Sequence, residues 1–309
     1  MSREKYLFGP VPSRRLGLSL GVDITPLKTC TQNCVYCQLG VHAAQQIERG
    51  VFVPTQAVLD EIRARLKAGL NADHITFSGS GEPTLHRDLG RMIRSVHEMT
   101  DIPVAVITNG TLLSDPAVRA DCAQADVVLP SLDAGDEATF RRINQPHSSI
   151  TFDGFVDGLC RFRREYRGPI WLEVFLIEPI NTSDEQIEKI ARLIERIGPD
   201  RVDLNTAVRP TTEPDVHMVD PDRMAQIAAA LGPRAQVVVD FDRPAPSRSE
   251  AALLDRVLDV LRRRPCTAHD LAASLGAPYA EVLKALQRLE GQDRIERRAR
   301  GSATYFQAR

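Results

Sequence analysis

The chain has 309 residues, 43% of them hydrophobic, with 39 Lys and Arg against 41 Asp and Glu and a formal net charge of -2. That length buries one large core, or one core with a small appendage, and the balanced charge removes any whole-molecule argument for nucleic-acid or membrane binding. The first residues mix Arg3, Glu4 and Lys5 with short apolar stretches, and nowhere do about 18 apolar residues run together, so neither a signal peptide nor a membrane span is expected and the chain reads as cytoplasmic.

From residue 20 to about 240, β-branched apolar runs alternate with amphipathic segments. Strands are predicted over 20–24, 74–78, 104–108, 127–131, 171–177, 201–204 and 236–240, and helices over 55–68, 89–99, 138–143, 155–165, 184–197 and 221–231. The hydrophobic period switches between about 2 and about 3.6 residues, the pattern of repeated βα units on a parallel sheet. The fold class is α/β, and repeated units with short loops favour a partial or full (βα) barrel over an open doubly wound sheet. Residues 243–250 (RPAPSRSE) carry Pro, Ser and Arg without apolar periodicity and read as a linker. Beyond it, an amphipathic helix over 253–263 is followed by a second over 269–275, capped by Thr267 and ended by Gly276, and by a third from Pro278 to Leu289. Strands over 295–298 and 304–307 then flank Arg300 and Gly301. Three helices and a hairpin are the plan of a small winged helix. The expected division is a barrel over 1–246 and an independent module over 250–309, whose removal leaves the barrel folded.

Three of the six cysteines fall within eight residues, as Cys30, Cys34 and Cys37 in a C-x3-C-x2-C run directly after the first predicted strand; Cys122, Cys160 and Cys266 are scattered. A reducing compartment and this clustering point to metal or redox chemistry, with the scattered thiols buried and structural. Three thiolates on one loop suit a cubane iron–sulfur cluster with one iron left open to a reacting molecule. The alternative is structural zinc, with His42 as fourth ligand.

The run, with the aromatic Tyr36 before its last cysteine, resembles the signature of the radical S-adenosylmethionine (SAM) superfamily. The resemblance implies a [4Fe–4S] cluster on Cys30, Cys34 and Cys37, SAM on the open iron, and reductive cleavage of SAM to a 5′-deoxyadenosyl radical that abstracts a substrate hydrogen, with a low-potential donor of flavodoxin or ferredoxin type. It continues along the chain. Gly79-Ser80-Gly81-Glu82-Pro83 is similar to the family's Gly-Gly-Glu-Pro loop, where Glu82 approaches the SAM ammonium; a βα turn with a helix-start glutamate is the plainer reading. Thr108 and Asn109 match a Thr-Asn-Gly strand end, Ser131 and Asp133 a ribose-contacting position, and Ile180 an apolar contact to the adenine. Asp133 can equally cap the helix beginning near Glu137. All fall at the C-terminal ends of predicted strands, where barrel chemistry sits.

Other residues carry open readings. Glu173 lies in an otherwise apolar strand and faces either the pocket or the helices. Asn205 and Arg209 are candidates for the substrate end, and the loop from Arg141 to His147 for an anionic substrate or for plain solvation. Arg14 and Arg15, in a Gly- and Pro-rich approach to the first strand, resemble the wyosine-synthase-like, tRNA-modifying branch; they bind a carboxylate or phosphate, or stay solvated. That branch's second cluster has no counterpart, since residues 1–29 hold no cysteine. Arg288, Arg294, Arg297, Arg298 and Arg300 make the C-terminal module a candidate for RNA, DNA, peptide or protein contact, although Glu281, Glu290, Asp293 and Glu296 interleave. Three functions compete: a radical SAM enzyme acting on RNA, a peptide or a protein; a cluster-bearing redox regulator that binds DNA; and a structural zinc protein. No single catalytic residue stands out.

Overall fold

The computed structural model describes residues 6–37, 44–207, 216–238, 250–277, 279–300 and 303–309. The chain opens with an antiparallel hairpin, β1 (Leu7–Ser13) and β2 (Gly17–Val22). β3 (His74–Phe77), β4 (Val104–Thr108) and β5 (Val127–Pro130) add in sequence order, all parallel to β2. β6 (Trp171–Leu176), β7 (Arg201–Thr206) and β8 (Ala235–Val237) form a second parallel set. Parallel bridges Val128–Ile170 and Ser131–Glu173 join the two at β5 and β6, so the strands from β2 to β8 follow one another as a curved partial barrel.

The crossovers are α1 (Thr55–Lys67), α2 (Leu89–His97), α3 (Pro116–Cys122), α4 (Glu137–Ile143), α5 (Phe152–Glu165), α6 (Asp184–Ile197) and α7 (Pro221–Leu231). Their apolar faces and the strands share one core, in which Val22, Ile75, Phe77, Val104, Leu172 and Leu204 are all essentially inaccessible. Runs buried on both faces are what parallel strands between helix layers require. Two elements of the barrel were not expected. α3 has only seven residues, too few to show a helical period, and starts from an Asp115 cap with Pro116 at the first helical position. β1 carries Pro10 and Pro12, which an edge strand tolerates. The cap on α4, offered as an alternative role for Asp133, is made by Asp136, whose carboxylate accepts from the Thr139 N–H.

The C-terminal domain comprises α8 (Glu250–Leu261), β9 (Cys266–Thr267), α9 (Ala268–Leu275), α10 (Tyr279–Gly291), β10 (Ile295–Arg300) and β11 (Ala303–Ala308), with the strands ordered β10–β11–β9. Thr267 and Asp270 form a reciprocal capping box on α9, and Gly276 ends that helix in the left-handed region. This is the winged-helix plan; Pro278, Gly301 and the linker over 243–249 lie outside the described residues. Its core of Leu253, Val257, Leu261, Leu271, Leu286 and Phe306 also takes in Val11 of β1, with Phe8 packed against it. The expectation of a self-contained module therefore meets a shared apolar contact with the barrel's first strand.

Candidate active site

At the C-terminal ends of the strands lies a cavity of about 430 Å³. The loop after β2 carries Cys30, Cys34 and Cys37, all half-buried and all on the cavity wall. Backbone bonds fasten this loop on two sides. The Val35 N–H donates to the Ile143 carbonyl at 2.9 Å, the His147 N–H to the Thr31 carbonyl at 2.9 Å, and the Glu82 N–H to the Thr29 carbonyl at 2.9 Å. Burial pushes the Cys30 thiol up to about 12 and the Cys34 thiol well above its ordinary value. Amides face two of the sulfurs: Asn109 Nδ2 lies 3.4 Å from Cys30 Sγ and Asn144 Nδ2 lies 3.6 Å from Cys34 Sγ. Such donors are what cluster sulfurs take from a surrounding protein. Among the described residues no three His, Cys, Asp or Glu side chains gather closely enough to share one ion. Three thiols spread over one wall, with amides beside them, fit a cubane in which each sulfur takes a different iron. His42 lies outside the described residues.

The segment from Gly79 to Glu82 forms the adjoining wall. A Cβ on Gly81 would sit 2.1 Å from the Thr29 carbonyl oxygen, and one on Gly79 would meet the Asp23 carboxylate, so side chains at these positions would push the loop off the cysteine segment. Ser80 is held by Asp23 through its N–H at 3.1 Å and its hydroxyl at 2.6 Å, and its carbonyl accepts from the Lys28 N–H at 2.6 Å. Glu82 is 2% exposed. Its carboxylate takes the Thr84 N–H and hydroxyl at 3.1 and 2.6 Å, the Thr108 hydroxyl at 2.6 Å and the Asn109 N–H at 2.7 Å. Burial raises its pKa against those donors. Glu82 thus ties the loop to the end of β4, and Asn109 ties β4 on to Thr31 at 2.8 Å in the cysteine loop.

Asp133 does not line the cavity. It sits beneath the cysteine loop, 2% exposed, accepting from the Tyr36 hydroxyl at 2.5 Å, Asn144 Nδ2 at 2.7 Å and the Phe175 N–H at 2.8 Å. Burial pushes its carboxyl up to about 6. Tyr36 stacks on Phe175 with ring centroids 4.0 Å apart, and Ile180 packs against the same apolar cluster. The expected ribose and adenine contacts at Asp133 and Ile180 thus fall on groups that hold Tyr36 and Phe175 in place, with Tyr36 and Phe175 reaching the cavity. Pro83 is buried at the start of a short 3₁₀ turn, off the cavity wall.

Ser131, Thr108 and Asn109 do line the cavity, as do Glu173 and Asn205. Glu173 points inward: it pairs with Arg15 and accepts from Asn205 Nδ2 at 3.0 Å. Arg14 joins Arg15 on the wall. In the loop from Arg141 to His147, Arg141 is bonded to Glu137 and to carbonyls of Pro146, His147 and Ile150. Arg209 lies outside the described residues. Cys122, Cys160 and Cys266 are buried, as expected of packed thiols.

Sequence reasoning missed Asp23, Asn144, Phe175 and the two cavity residues just beyond α8, Arg263 and Arg264. Arg263 Nε lies 3.5 Å from Asp23, the residue that holds Ser80, and its guanidinium lies 4.6 Å from the Phe8 ring centre. The C-terminal domain therefore forms part of the cavity wall.

The radical SAM superfamily model matches residues 24–194, and the model of the DprA winged helix domain matches residues 241–301. A protein of Brachyspira hyodysenteriae named GTPase Obg is 39% identical over 290 residues, 93% of this chain and 43% of its own length. A UPF0026 protein of Methanocaldococcus jannaschii is 37% identical over 208 residues, 67% of this chain and 64% of its own. The chain thus spans less than two thirds of either relative. SuiB of Streptococcus suis bound to S-adenosylmethionine shares the fold over 77% of this chain and 56% of its own, with a TM-score of 0.53 at 15% identity. Among the described residues no helix is long and apolar enough to cross a membrane.

Proposed function

The chain belongs to the radical SAM superfamily of enzymes, and from that premise we propose that Cys30, Cys34 and Cys37 would hold a [4Fe–4S] cluster, with SAM bound in the cavity that they line. When bound, the pair supplies reductive cleavage of SAM to methionine and a 5′-deoxyadenosyl radical, which takes a hydrogen atom from the substrate. The observation that carries this is the meeting of the three thiols with the 79–82 loop, Thr108, Asn109 and Ser131 on one cavity of about 430 Å³.

In this reading the chain's own residues position, bind and exclude water. Glu82 and Asn109 hold the SAM-facing loop and strand end against the cysteine segment. With its carboxylate already taking four donors, Glu82 acts on SAM by fixing the loop's backbone. Asp133, Asn144 and Tyr36 brace the cysteine loop from below. Tyr36 and Phe175 offer SAM an apolar wall, and Ser131 a hydroxyl. In this reading the barrel covers 1–246 and the winged helix 250–309. The substrate is macromolecular, RNA such as tRNA or a peptide or protein, and a flavodoxin or ferredoxin type donor supplies electrons. A DNA-binding regulator is not favoured: on the wing Arg297 pairs with Glu290 at 2.7 Å and Arg298 with Glu296.

The test is product analysis. Protein reconstituted anaerobically with iron and sulfide, then given SAM and dithionite, should yield methionine and 5′-deoxyadenosine in equal amounts. Iron-loaded protein that leaves SAM intact overturns the reading.

A further inference from the structure

The residue two before the first cysteine carries more than the superfamily signature asks of it. Lys28 is 9% exposed and lines the cavity. Its φ is +62°, a left-handed conformation that side chains other than glycine rarely adopt. The backbone is held there by the Lys28 N–H bonded to the Ser80 carbonyl at 2.6 Å. The fold thus accepts strain to keep this lysine on the cavity wall. Among the described residues its ammonium has neither a hydrogen-bond nor an ion-pair partner. A cation at a partly desolvated cavity wall acts strongly on an anion that binds there.

Among the described residues the cavity offers no uncommitted carboxylate for it. Its described lining carboxylates are Glu82 and Glu173, against the cations Arg14, Arg15, Lys28, Arg263 and Arg264, of which Arg15 pairs with Glu173 and Arg263 lies 3.5 Å from Asp23. Glu82 is spent on Thr84, Thr108 and Asn109. Glu173 is spent on Arg15 and Asn205. The cations come from three remote segments: the turn after β1, the cysteine loop and the chain just beyond α8. Cations gathered from several walls suit a group with several charged oxygens, and guanidinium forks beside a lysine match phosphate better than a lone carboxylate.

We propose that Lys28, with Arg263 and Arg264 from the C-terminal domain, binds a phosphate group of the substrate. The proposal rests on the radical SAM reading and adds the substrate's chemistry to it. It also gives the winged-helix domain a role in the cavity itself.

Calorimetric titration of the cluster-loaded protein, with SAM saturating, tests this with inorganic phosphate against acetate at equal ionic strength. Saturable phosphate binding is expected, weakened at least tenfold by Lys28→Gln and by Arg264→Gln, largely restored by Lys28→Arg, and unchanged by Arg298→Gln on the wing. Adenosine monophosphate against adenosine, and phosphoserine against serine, separate the sources; tighter binding of either phosphorylated member supports the proposal and names its source. Absence of phosphate binding, equal binding in Lys28→Gln, or binding lost when SAM saturates overturns it, the last because Lys28 would then serve SAM's own carboxylate. The two readings fail separately. Wild-type protein that cleaves SAM without binding phosphate sinks this inference alone, whereas protein that binds phosphate without cleaving SAM sinks the functional reading.

Discussion

The C-terminal domain presents two groups of arginines in contrasting circumstances. On the wing, Arg297 and Arg298 pair with Glu290 and Glu296 on exposed or half-exposed side chains. Beyond α8, Arg263 and Arg264 line the cavity, and Arg263, 15% exposed at its side chain, reaches Asp23, which holds Ser80 of the 79–82 loop. Exposed pairs contribute little and present a neutralised face, whereas a cation at a partly desolvated wall acts strongly on whatever binds there. The domain thus reaches the cavity through Arg263 and Arg264, just beyond its first helix, while Arg297 and Arg298 of the wing, the element with the third helix that a DNA-reading winged helix employs, do not line it.

The largest expected effect sets the cavity against the core. Cys34→Ala should drop the anaerobic iron content from about four per chain to near zero, because a thiolate ligand has no substitute there. Cys122→Ala, Cys160→Ala and Cys266→Ala should keep it, with modest losses in stability. An iron count that survives Cys34→Ala breaks the distinction between cavity and core thiols.

Removing residues 250–309 comes next. It strips Val11 and Phe8 of their cover and Asp23 of Arg263. The truncated barrel should aggregate through the uncovered β1 face, and polar substitutions at Phe8 and Val11 should restore solubility but not full SAM affinity. Gel filtration that finds the plain truncation monomeric would show that the shared contact is dispensable.

A third effect separates the buried carboxylate from the cavity ones. Asp133's folded value of about 6 lies above its ordinary 3.8. The folded state thus holds this proton more tightly than the unfolded chain, and stability on its account is greatest below pH 4 and falls as pH rises to 6, by on the order of 3 kcal/mol. Asp133→Asn should flatten that slope in urea unfolding of the metal-free protein at pH 4.5 and 7; an unaltered slope assigns it to other groups.

The smallest effect is on the wing. Arg297→Ala should change stability by less than about 1 kcal/mol and leave SAM cleavage untouched. A large loss there would return nucleic-acid contact by the wing to the front.

How far the sequence carried these conclusions depends on range. The C-x3-C-x2-C spacing, the loop around Gly81 and the Thr267 cap are local signals, and each lies where its local chemistry puts it. Glu173 was undecided because a strand alternates its faces, and only the pairing of β5 with β6 and the arrival of Arg15 settle which face is the cavity. The bracing contacts of Asp133 were illegible because its hydrogen-bond partners Tyr36, Asn144 and Phe175 lie on three other segments. Arg263 was invisible for the same reason: nothing near it in sequence announces that it will meet Asp23.

The most direct test of the account is electron paramagnetic resonance of the dithionite-reduced protein before and after SAM is added. A single reduced [4Fe–4S] cluster per chain is predicted, with a signal that shifts when SAM occupies the open iron. A signal indifferent to SAM, or protein that binds zinc and assembles no cluster, would contradict it.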